Sequence, residues 1–485
     1  MNPLHVPEPA LVCILEHLGV YGSLQWSLCS HECLDQVRSM LRLCLSHHKR
    51  QSHEHTPEGL FTAFPRVHGL RMGVNGRPHD MWSAAAQAVR SGQLRHLRLL
   101  EVAFYATSSW DHAEDFVNSL ALHQCPYLDT LILHGMWVPT LSLVTSLESA
   151  QVKGWRGLGR LKIMYSSQVH MVRRFLSSPI LHNIRELHLA GVYEKQGGIA
   201  TAFHSLLANI RVQESLRRLD LIHLTTQQAF MILDGLPGLR HLSVLRLTTR
   251  NWSTTDQERL ANIMEMAPWP LLHTLEVEEM GSVGMDLVCG ALAKSKRPPP
   301  LRRLKLERIT PAVSPPIPRG HGARCFVRAL AQGGSFPRLQ HLTLIESLGD
   351  DGACDLVHFW KHPIRPALRH VAFHDWGLTL SGLQTLLLHL PPYLEGIEWS
   401  GNQFGDEGLD AILQFLAQGN GRCLRILDLT FLGLSVHAIR RFIAVLRTGV
   451  CPRLRFVGIF VGQRLCAEDL INDLRGCLPS DCDFC

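Results

Sequence analysis

The chain carries little net charge and has no long hydrophobic run. Its net charge is only +6 over 485 residues, too small for this length to predict nonspecific nucleic-acid binding, so we expect no nucleic-acid partner. No apolar stretch approaches the roughly 18 residues of a membrane-spanning helix, and no cationic segment precedes an apolar core at the amino terminus. We therefore expect neither a membrane span nor a secretory leader.

The short motifs of common catalytic and nucleotide-binding sites are also missing. G-x-x-x-x-G-K-[ST], G-x-S-x-G and H-E-x-x-H do not occur. Histidine is abundant, at 28 residues, but HHKRQSHEH (47–55) has no cysteine at zinc spacing and predicts a solvated linker. Cys477, Cys482 and Cys485 form an incomplete ligand set without a nearby histidine. We therefore expect no catalytic residue, no metal and no cofactor.

Cysteine use indicates a reducing environment. The 14 cysteines are scattered, and several lie in apolar periodic segments, such as Cys13, Cys289 and Cys325. Such residues are typical of small buried thiols, which predicts a cytoplasmic or nuclear protein. The carboxyl-terminal Cys482-Asp-Phe-Cys485 has the length of a prenylation box, although Asp483 is not aliphatic and Cys is unusual as the last residue.

One pattern, Leu-x-x-Leu-x-Leu, recurs along most of the chain. A degenerate first copy is VHGLRM (67–72), and the steps between copies run from 26 to 38 residues. The 14 copies begin at residues 67, 94, 128, 158, 184, 216, 242, 272, 301, 339, 368, 394, 424 and 454. A short strand followed by a longer segment at this period indicates a leucine-rich repeat.

The second half of many units predicts an amphipathic helix. Apolar residues recur at i, i+3, i+4 and i+7 in SVGMDLVCGALAK (282–294), LSGLQTLLLHL (380–390), DEGLDAILQFLAQG (406–419) and SVHAIRRFIAVLRTG (435–449). We predict an α/β leucine-rich-repeat solenoid: a horseshoe of about 14 irregular repeats with parallel strands concave and helices convex. Asn402 lies where a buried asparagine would satisfy turn amides, and the unit around it resembles the ribonuclease-inhibitor type. The proline-rich segment 310–322 predicts an inserted loop.

The first fifty residues follow a different, helical pattern. After Pro7 and Pro9, apolar residues continue at helical spacing to Leu18, and Gly19 and Gly22 end that segment. A second helix is predicted from Ser23 to about Cys33, and a third passes through Val37, Met40, Leu41 and Leu43. We predict four segments: a helical module (1–50), a linker (51–65), the solenoid (66–465), and a capping helix with a cysteine-containing tail (466–485).

The helical module resembles an F-box. Val6-Pro7, Leu11, Ile14-Leu15, Leu18, Leu24 and Cys29-Ser30 match that pattern without a gap, while Pro9 replaces an acidic residue and Cys33 a tryptophan. An F-box before a leucine-rich solenoid is a recurring architecture, so the resemblance covers the whole chain. An elongin-type box at SMLRLC (39–44) matches less well, with Met for Leu and with His48 at an apolar position.

The resemblance implies a substrate receptor of an SCF-type cullin-RING ubiquitin ligase. The solenoid would hold a protein substrate, and ubiquitin transfer would belong to other subunits. The adaptor subunit would be bound by Pro7, Leu11, Ile14, Leu15, Leu18 and Leu24. The alternative is an interaction scaffold whose helical module only caps the solenoid, because solenoids need capped ends. A GTPase-activating protein is a third interpretation.

The strand residues that point away from the leucines predict the binding surface. They form a basic surface that becomes apolar towards the carboxyl terminus, which suits an acidic or phosphorylated substrate with an apolar anchor. The predicted substrate-binding residues are Arg98, Arg160, Lys162, His188, Arg218, Arg246, Ile426, Phe456 and Phe460. In the alternative interpretation these charges serve only solubility, and the carboxyl-terminal tail covers Phe456 and Phe460.

Overall fold

The computed structural model describes the greater part of the repeat region. The described residues are 42–46, 69–74, 79–104, 115–116, 119–120, 125–134, 140–164, 169–192, 198–249, 252–266, 269–295, 297–308, 321–331, 336–361, 368–460, 467–478 and 483–484. The chain divides into two compact units, Met1–Leu242 and Ser243–Cys485.

In the first unit each strand pairs in parallel with the next strand along the chain. The strands are β1 (Arg42–Ser46), β2 (Gly69–Val74), β3 (Leu99–Phe104), β4 (Thr130–His134), β5 (Arg160–Met164), β6 (Glu186–Ala190) and β7 (Arg218–Leu224). The helices are α1 (His79–Arg90), α2 (Thr140–Val152), α3 (Val169–Leu176), α4 (Gly198–Ala208), α5 (Ile210–Ser215) and α6 (Thr226–Gly235). Parallel neighbours joined by helical crossovers confirm the predicted α/β repeat.

The second unit repeats this parallel arrangement. Its strands are β8 (Val244–Thr249), β9 (Thr274–Met280), β10 (Arg303–Arg308), β11 (His341–Ile345), β12 (His370–Ala372), β13 (Gly396–Glu398), β14 (Ile426–Leu429), β15 (Phe456–Ile459) and β16 (Asp483–Phe484). Its helices are α7 (Thr254–Met266), α8 (Ser282–Lys294), α9 (His321–Ala331), α10 (Gly349–Lys361), α11 (Leu380–His389), α12 (Gly405–Phe415), α13 (Val436–Leu446) and α14 (Ala467–Arg475). The bounds of α8, α11, α12 and α13 confirm the helices predicted from amphipathic spacing. The horseshoe curvature stays a prediction.

Alternation along each strand separates a buried side from an open face. In β5, Leu161 and Ile163 are fully buried, whereas Arg160 is exposed and Lys162 half-buried. Successive strand residues point to opposite sides, so the leucines lie under the helices. We call the other side of the sheet, in each unit, the open face.

Strand β1 lies where the third helix was predicted. Leu43 pairs in register with Leu70 and Leu45 with Met72, because Met40-x-x-Leu43-x-Leu45 continues the repeat spacing. The all-helical module through residue 50 is therefore wrong for residues 42–46, which also include half of the elongin-type match. The linker 51–65 lies outside the described residues. So do the predicted adaptor-binding residues, Pro7, Leu11, Ile14, Leu15, Leu18 and Leu24.

The repeat copy assigned to residues 94–99 is shifted by three residues. Leu100 pairs with Leu131 and Val102 with Leu133, so the true copy is LRLLEV (97–102). Leu94, Leu97 and Leu99 also fit Leu-x-x-Leu-x-Leu, so the pattern matches three residues too early. The corrected start gives nearly equal repeat lengths on either side, and it moves Arg98 off the open face.

The carboxyl-terminal segment contains the predicted helix and also a short strand. Helix α14 lies in the segment predicted as a capping helix, and Asp483–Phe484 pair in parallel with Phe456 and Val457 as β16. The capping role of α14 stays a prediction. Cys482 and Cys485 lie outside the described residues, so prenylation stays an untested interpretation. In the predicted loop 310–322, His321 already begins α9.

A polar and aromatic cluster supports the turn between β12 and β13. Asn402 is fully buried; its side-chain oxygen accepts from the Leu378 amide at 3.2 Å, and its nitrogen donates to the carbonyls of Phe373 and Trp399 at 2.5 and 2.9 Å. The rings of Phe373 and Trp399 stack with their centroids 4.4 Å apart. The predicted role of Asn402 in satisfying turn amides is confirmed.

Candidate protein-binding surface

On the open face of the first unit, most charged side chains are paired. Arg160 forms an ion pair with Glu186 at 2.6 Å, and Asp220 pairs with both Arg218 at 2.8 Å and His188 at 3.2 Å. The side chain of Asp220 is almost fully buried beneath its two partners. The Arg160–Glu186 and His188–Asp220 contacts join neighbouring strands because these residues face one another in register, whereas Arg218 and Asp220 lie on the same strand.

The same pairing extends over β8, β9 and β10 in the second unit. Glu276 lies between Arg246 and Arg303, each at 2.8 Å, and is nearly buried. Lys305 reaches Glu278 at 2.6 Å and Glu307 at 2.9 Å. Burial alone would lower the pKa of Lys305, but hydrogen bonds to both carboxylates outweigh it and raise that pKa. The predicted basic surface is therefore a network of compensated charges, because adjacent positions supply the acids.

Lys162 and Arg98 differ from the other predicted cations. Lys162 is half-buried on the open face and forms no ion pair within the described part of the chain. Arg98 lies just before β3, where its carbonyl accepts from the amides of Asp129 and Thr130 at 2.9 Å. Its side chain is exposed at the amino-terminal end of the strands instead of on the open face.

The basic residues that the prediction missed lie in the position immediately before each strand. In the second unit, Arg369, Glu395 and Arg425 follow one another there, and each donates its backbone amide to the preceding residue in the row. Glu395 pairs with Arg369 at 2.9 Å and lies 3.5 Å from Arg425. The sequence does contain a pattern that could have identified this row. The residue after the first Leu of Leu-x-x-Leu-x-Leu is Arg in many copies.

A histidine-carboxylate cluster follows on β11, β12 and β13. Glu398 accepts from His370 at 2.5 Å and from His374 at 2.6 Å, and the rings of His341 and His370 lie 5.6 Å apart. Burial would raise the pKa of Glu398, but the hydrogen bonds from both histidines hold it well below its ordinary value. Burial, together with His370 and Arg303, lowers the pKa of His341.

We expect the substitution Glu398→Gln to destabilise the protein in a pH-dependent way. A carboxyl group whose pKa is depressed by folding stabilises the native state above its unfolded pKa, about 4.3 for glutamate. That contribution is lost as the pH falls through the depressed value. Urea unfolding from pH 6 to pH 3 should show a gap between wild type and Glu398→Gln that narrows below about pH 4.3. A gap that does not vary with pH would contradict the charge-based explanation; Glu395→Gln is the matched control.

Two of the predicted apolar residues of the open face lie on β14 and β15. Ile426 and Phe456 are direct neighbours in register, and both are half-buried. Phe460 lies beyond the end of β15, is 53% exposed, and stacks with Phe431 at a centroid distance of 4.9 Å. Phe460 is therefore accessible in the folded chain. Its partner Phe431 was not among the residues predicted from the sequence.

Phe431 combines an exposed side chain with an unusual backbone conformation. Its φ is +56°, in the left-handed region that bulky residues rarely adopt. The corresponding corner has positive φ in several repeats, where it is occupied by glycine (Gly191 and Gly401) or by a polar residue (His223, Glu279 and Asp375). A phenylalanine here costs on the order of 1 kcal/mol, and its ring is 60% exposed instead of buried. This combination of strain and exposed apolar area is typical of a binding site.

Comparisons with known proteins give structural similarity only. No protein-family profile matches the chain, and no curated protein sequence matches it. The structure is similar to a chain in the crystal structure of the yeast Rad7 and Elc1 complex, with a TM-score of 0.41 and 15% identity over 84% of this chain and 88% of that one. It is also similar to a Bacteroides fragilis protein, with a TM-score of 0.31 and 11% identity over 70% of this chain and 76% of that one. At such low values neither similarity assigns a function.

The surface at β14 and β15 has the composition of a protein contact. Ile426 and Phe456 begin β14 and β15, and the stacked rings of Phe431 and Phe460 follow the ends of the same two strands. Asp428 lies between these two pairs along β14 on the open face. Its carboxylate accepts from the Thr430 amide at 2.8 Å and lies against Gly458, where a Cβ would approach it to 2.6 Å. An exposed apolar patch rimmed by a carboxylate suits a protein segment with an apolar anchor.

Two further classes of site are absent from the described residues. These residues contain no group of three or more His, Cys, Asp or Glu residues placed to hold a metal ion. None of their helices is long and apolar enough to cross a membrane. The histidine-rich segment 47–55 lies outside the described residues.

Proposed function

We propose that this protein is the substrate-recognition subunit of an SCF-type ubiquitin ligase. Its repeat region would bind a protein substrate, and its amino-terminal segment would recruit the adaptor and, through it, the cullin. The observation that carries substrate recognition is the stacked, exposed Phe431–Phe460 pair beside the open face of the second unit. The support for adaptor binding is the ungapped F-box resemblance of residues 6–30.

The proposed substrate contact is an apolar side chain inserted beside the two rings. Aromatic residues at the centre of an interface carry a large share of its binding energy. A segment of the substrate would lie along the ends of β14 and β15, with its anchor against Phe431 and Phe460. Such a receptor would act in the cytoplasm or nucleus and would need no cofactor of its own.

A second candidate function is an interaction scaffold without ubiquitin ligase activity. One observation favours it: β1 pairs directly with β2, so residues immediately after the F-box-like segment extend the repeat sheet. A segment that continues into the first repeat could act as its cap. In this alternative the Phe431–Phe460 surface would still bind a protein, and the adaptor would not bind.

Adaptor recruitment separates the two candidates. The tagged full-length chain should co-purify the SCF adaptor and cullin, and Leu11→Ala with Ile14→Ala should lower recovery of both by about tenfold or more, because each truncation removes an apolar contact worth about 1 kcal/mol or more. The matched control is Val283→Ala with Leu388→Ala, two exposed helix residues of the second unit. Failure of the native chain to bind the adaptor would reject the ligase proposal in favour of the scaffold.

A further inference from the structure

An open groove lies at the amino-terminal ends of β3, β4, β5 and β6 in the first unit. Four arginines line it, Arg98, Arg156, Arg160 and Arg185, together with the ring of Tyr127. Two of these arginines, Arg98 and Arg160, were predicted as substrate-binding residues of the open face. The structure places both in the lining of this groove at the strand ends. At a strand spacing of about 4.8 Å the groove spans roughly 15 Å.

Two glycines, Gly157 in the lining and Gly159 next to it, allow close packing beside the groove. Gly157 has φ +84°, and a Cβ there would lie 2.6 Å from the Ile180 carbonyl oxygen. At Gly159, a Cβ would collide with the side chains of Asp129 and Arg185. Those two side chains form an ion pair at 2.7 Å directly over Gly159, in the space that a side chain would occupy.

The charges lining the groove are not balanced. Its lining contains four guanidinium groups and one carboxylate, that of Asp129. Arg185 is paired with Asp129, and Arg160 is paired with Glu186, which lies outside the lining. Arg98 and Arg156 are exposed and form no ion pair with any residue that the structure describes. Two guanidinium groups are therefore available to an incoming anion.

We propose that this groove binds a phosphorylated side chain of a protein. A phosphate monoester carries about two negative charges at pH 7 and three acceptor oxygens, which suits paired guanidinium groups. A span of only four strands accommodates one phosphorylated residue and its neighbours more readily than a nucleic-acid polymer. Tyr127 is 58% exposed and its ring stacks on His96, which provides an apolar contact for a flanking residue. Only the description of the bound protein as a ligase substrate rests on the proposed function.

The test uses the full-length chain and a fluorescein-labelled hexapeptide pool with a central phosphoserine and degenerate flanks. The phosphorylated pool should bind at least about tenfold more tightly than its dephosphorylated twin, since a charged hydrogen bond contributes that much or more. Arg98→Glu with Arg156→Glu should reduce affinity by about a hundredfold, about tenfold for each guanidinium group. If the double glutamate variant does not fold, Arg98→Gln with Arg156→Gln should also lower the affinity for the phosphorylated pool.

The control is a pair of exposed arginines of the same unit outside the groove. Arg173→Glu with Arg211→Glu changes the net charge equally and should alter affinity by less than about twofold. If both double variants lose the same affinity for the phosphorylated pool, binding depends only on net charge and the proposal is overturned. If inorganic phosphate binds as tightly as the phosphorylated pool, the groove is a site for a small anion and the proposal fails. None of these measurements depends on adaptor binding or on Phe431 and Phe460, so failure here leaves the proposed function intact.

Discussion

Replacement of Asn402 by alanine is expected to lower the free energy of unfolding of the second unit by about 4 kcal/mol. The substitution removes the hydrogen bonds to Leu378, Phe373 and Trp399. The Leu378 amide and the Phe373 carbonyl would then lose their Asn402 partner in a buried site, and each orphaned group costs about 1–3 kcal/mol. Few surface substitutions approach this magnitude.

Urea unfolding followed by tryptophan fluorescence would measure this loss. The indoles of Trp376 and Trp399 both contact Phe373, so fluorescence reports directly on this part of the unit. Asn183→Ala is the matched control, because Asn183 is exposed and makes one side-chain hydrogen bond, to the Arg156 carbonyl. A loss in Asn402→Ala no larger than that in the control would show that water or a shifted backbone satisfies the turn.

The combined substitution Phe431→Gly and Phe460→Ala is expected to weaken substrate binding by about a hundredfold or more, since central aromatic residues contribute about 2 kcal/mol or more each. Stability should change by less than about 1 kcal/mol, because glycine relieves the left-handed strain at position 431 while the lost ring stacking offsets that gain. Glycine at the equivalent Gly401 shows that the corner accepts it.

Site-specific cross-linking supplies the substrate for this measurement. Phe460→p-benzoylphenylalanine should cross-link a protein in cells, whereas Leu388→p-benzoylphenylalanine, at a 78% exposed helix position, should not. The affinity of the cross-linked protein is then compared between wild type and the Phe431→Gly, Phe460→Ala variant, with Leu388→Ala as control. Unchanged affinity in the double variant would remove this surface from the proposed function.

The order of strands and helices could be predicted because its causes are local. Leucines at positions one, four and six, followed by an amphipathic segment, specify one strand and one helix in each unit. The bounds of α8 and α13 follow directly from that pattern. The errors have local causes as well. Leu99 offers a second frame for the third strand. Val37, Met40, Leu41 and Leu43 fit a helical period, although Met40, Leu43 and Leu45 also fit the extended period of the repeat.

The candidate surfaces could be predicted only in part. Ile426 and Phe456 were identified because register makes them neighbours wherever the repeat holds. Phe431 could not be found this way, since it lies at a turn beyond the strand, where other repeats have glycine or a polar residue. The groove could not be predicted because Arg156 belongs to a loop and Arg185 occupies a variable position of Leu-x-x-Leu-x-Leu, to which the pattern assigns no role.

Composition, period and alternation within the sequence thus determined a parallel α/β repeat with a leucine core, because each repeat contains its own strand and helix signals. Only the folded structure decided which basic side chains lack a carboxylate partner and can bind an anion. Arg246, Arg303 and Lys305 are compensated by carboxylates brought beside them by parallel pairing. Arg98 and Arg156 line one groove at the strand ends and have no such partners among the described residues. Electrostatic compensation depends on distances of a few ångströms between repeats, and a one-dimensional pattern does not contain those distances.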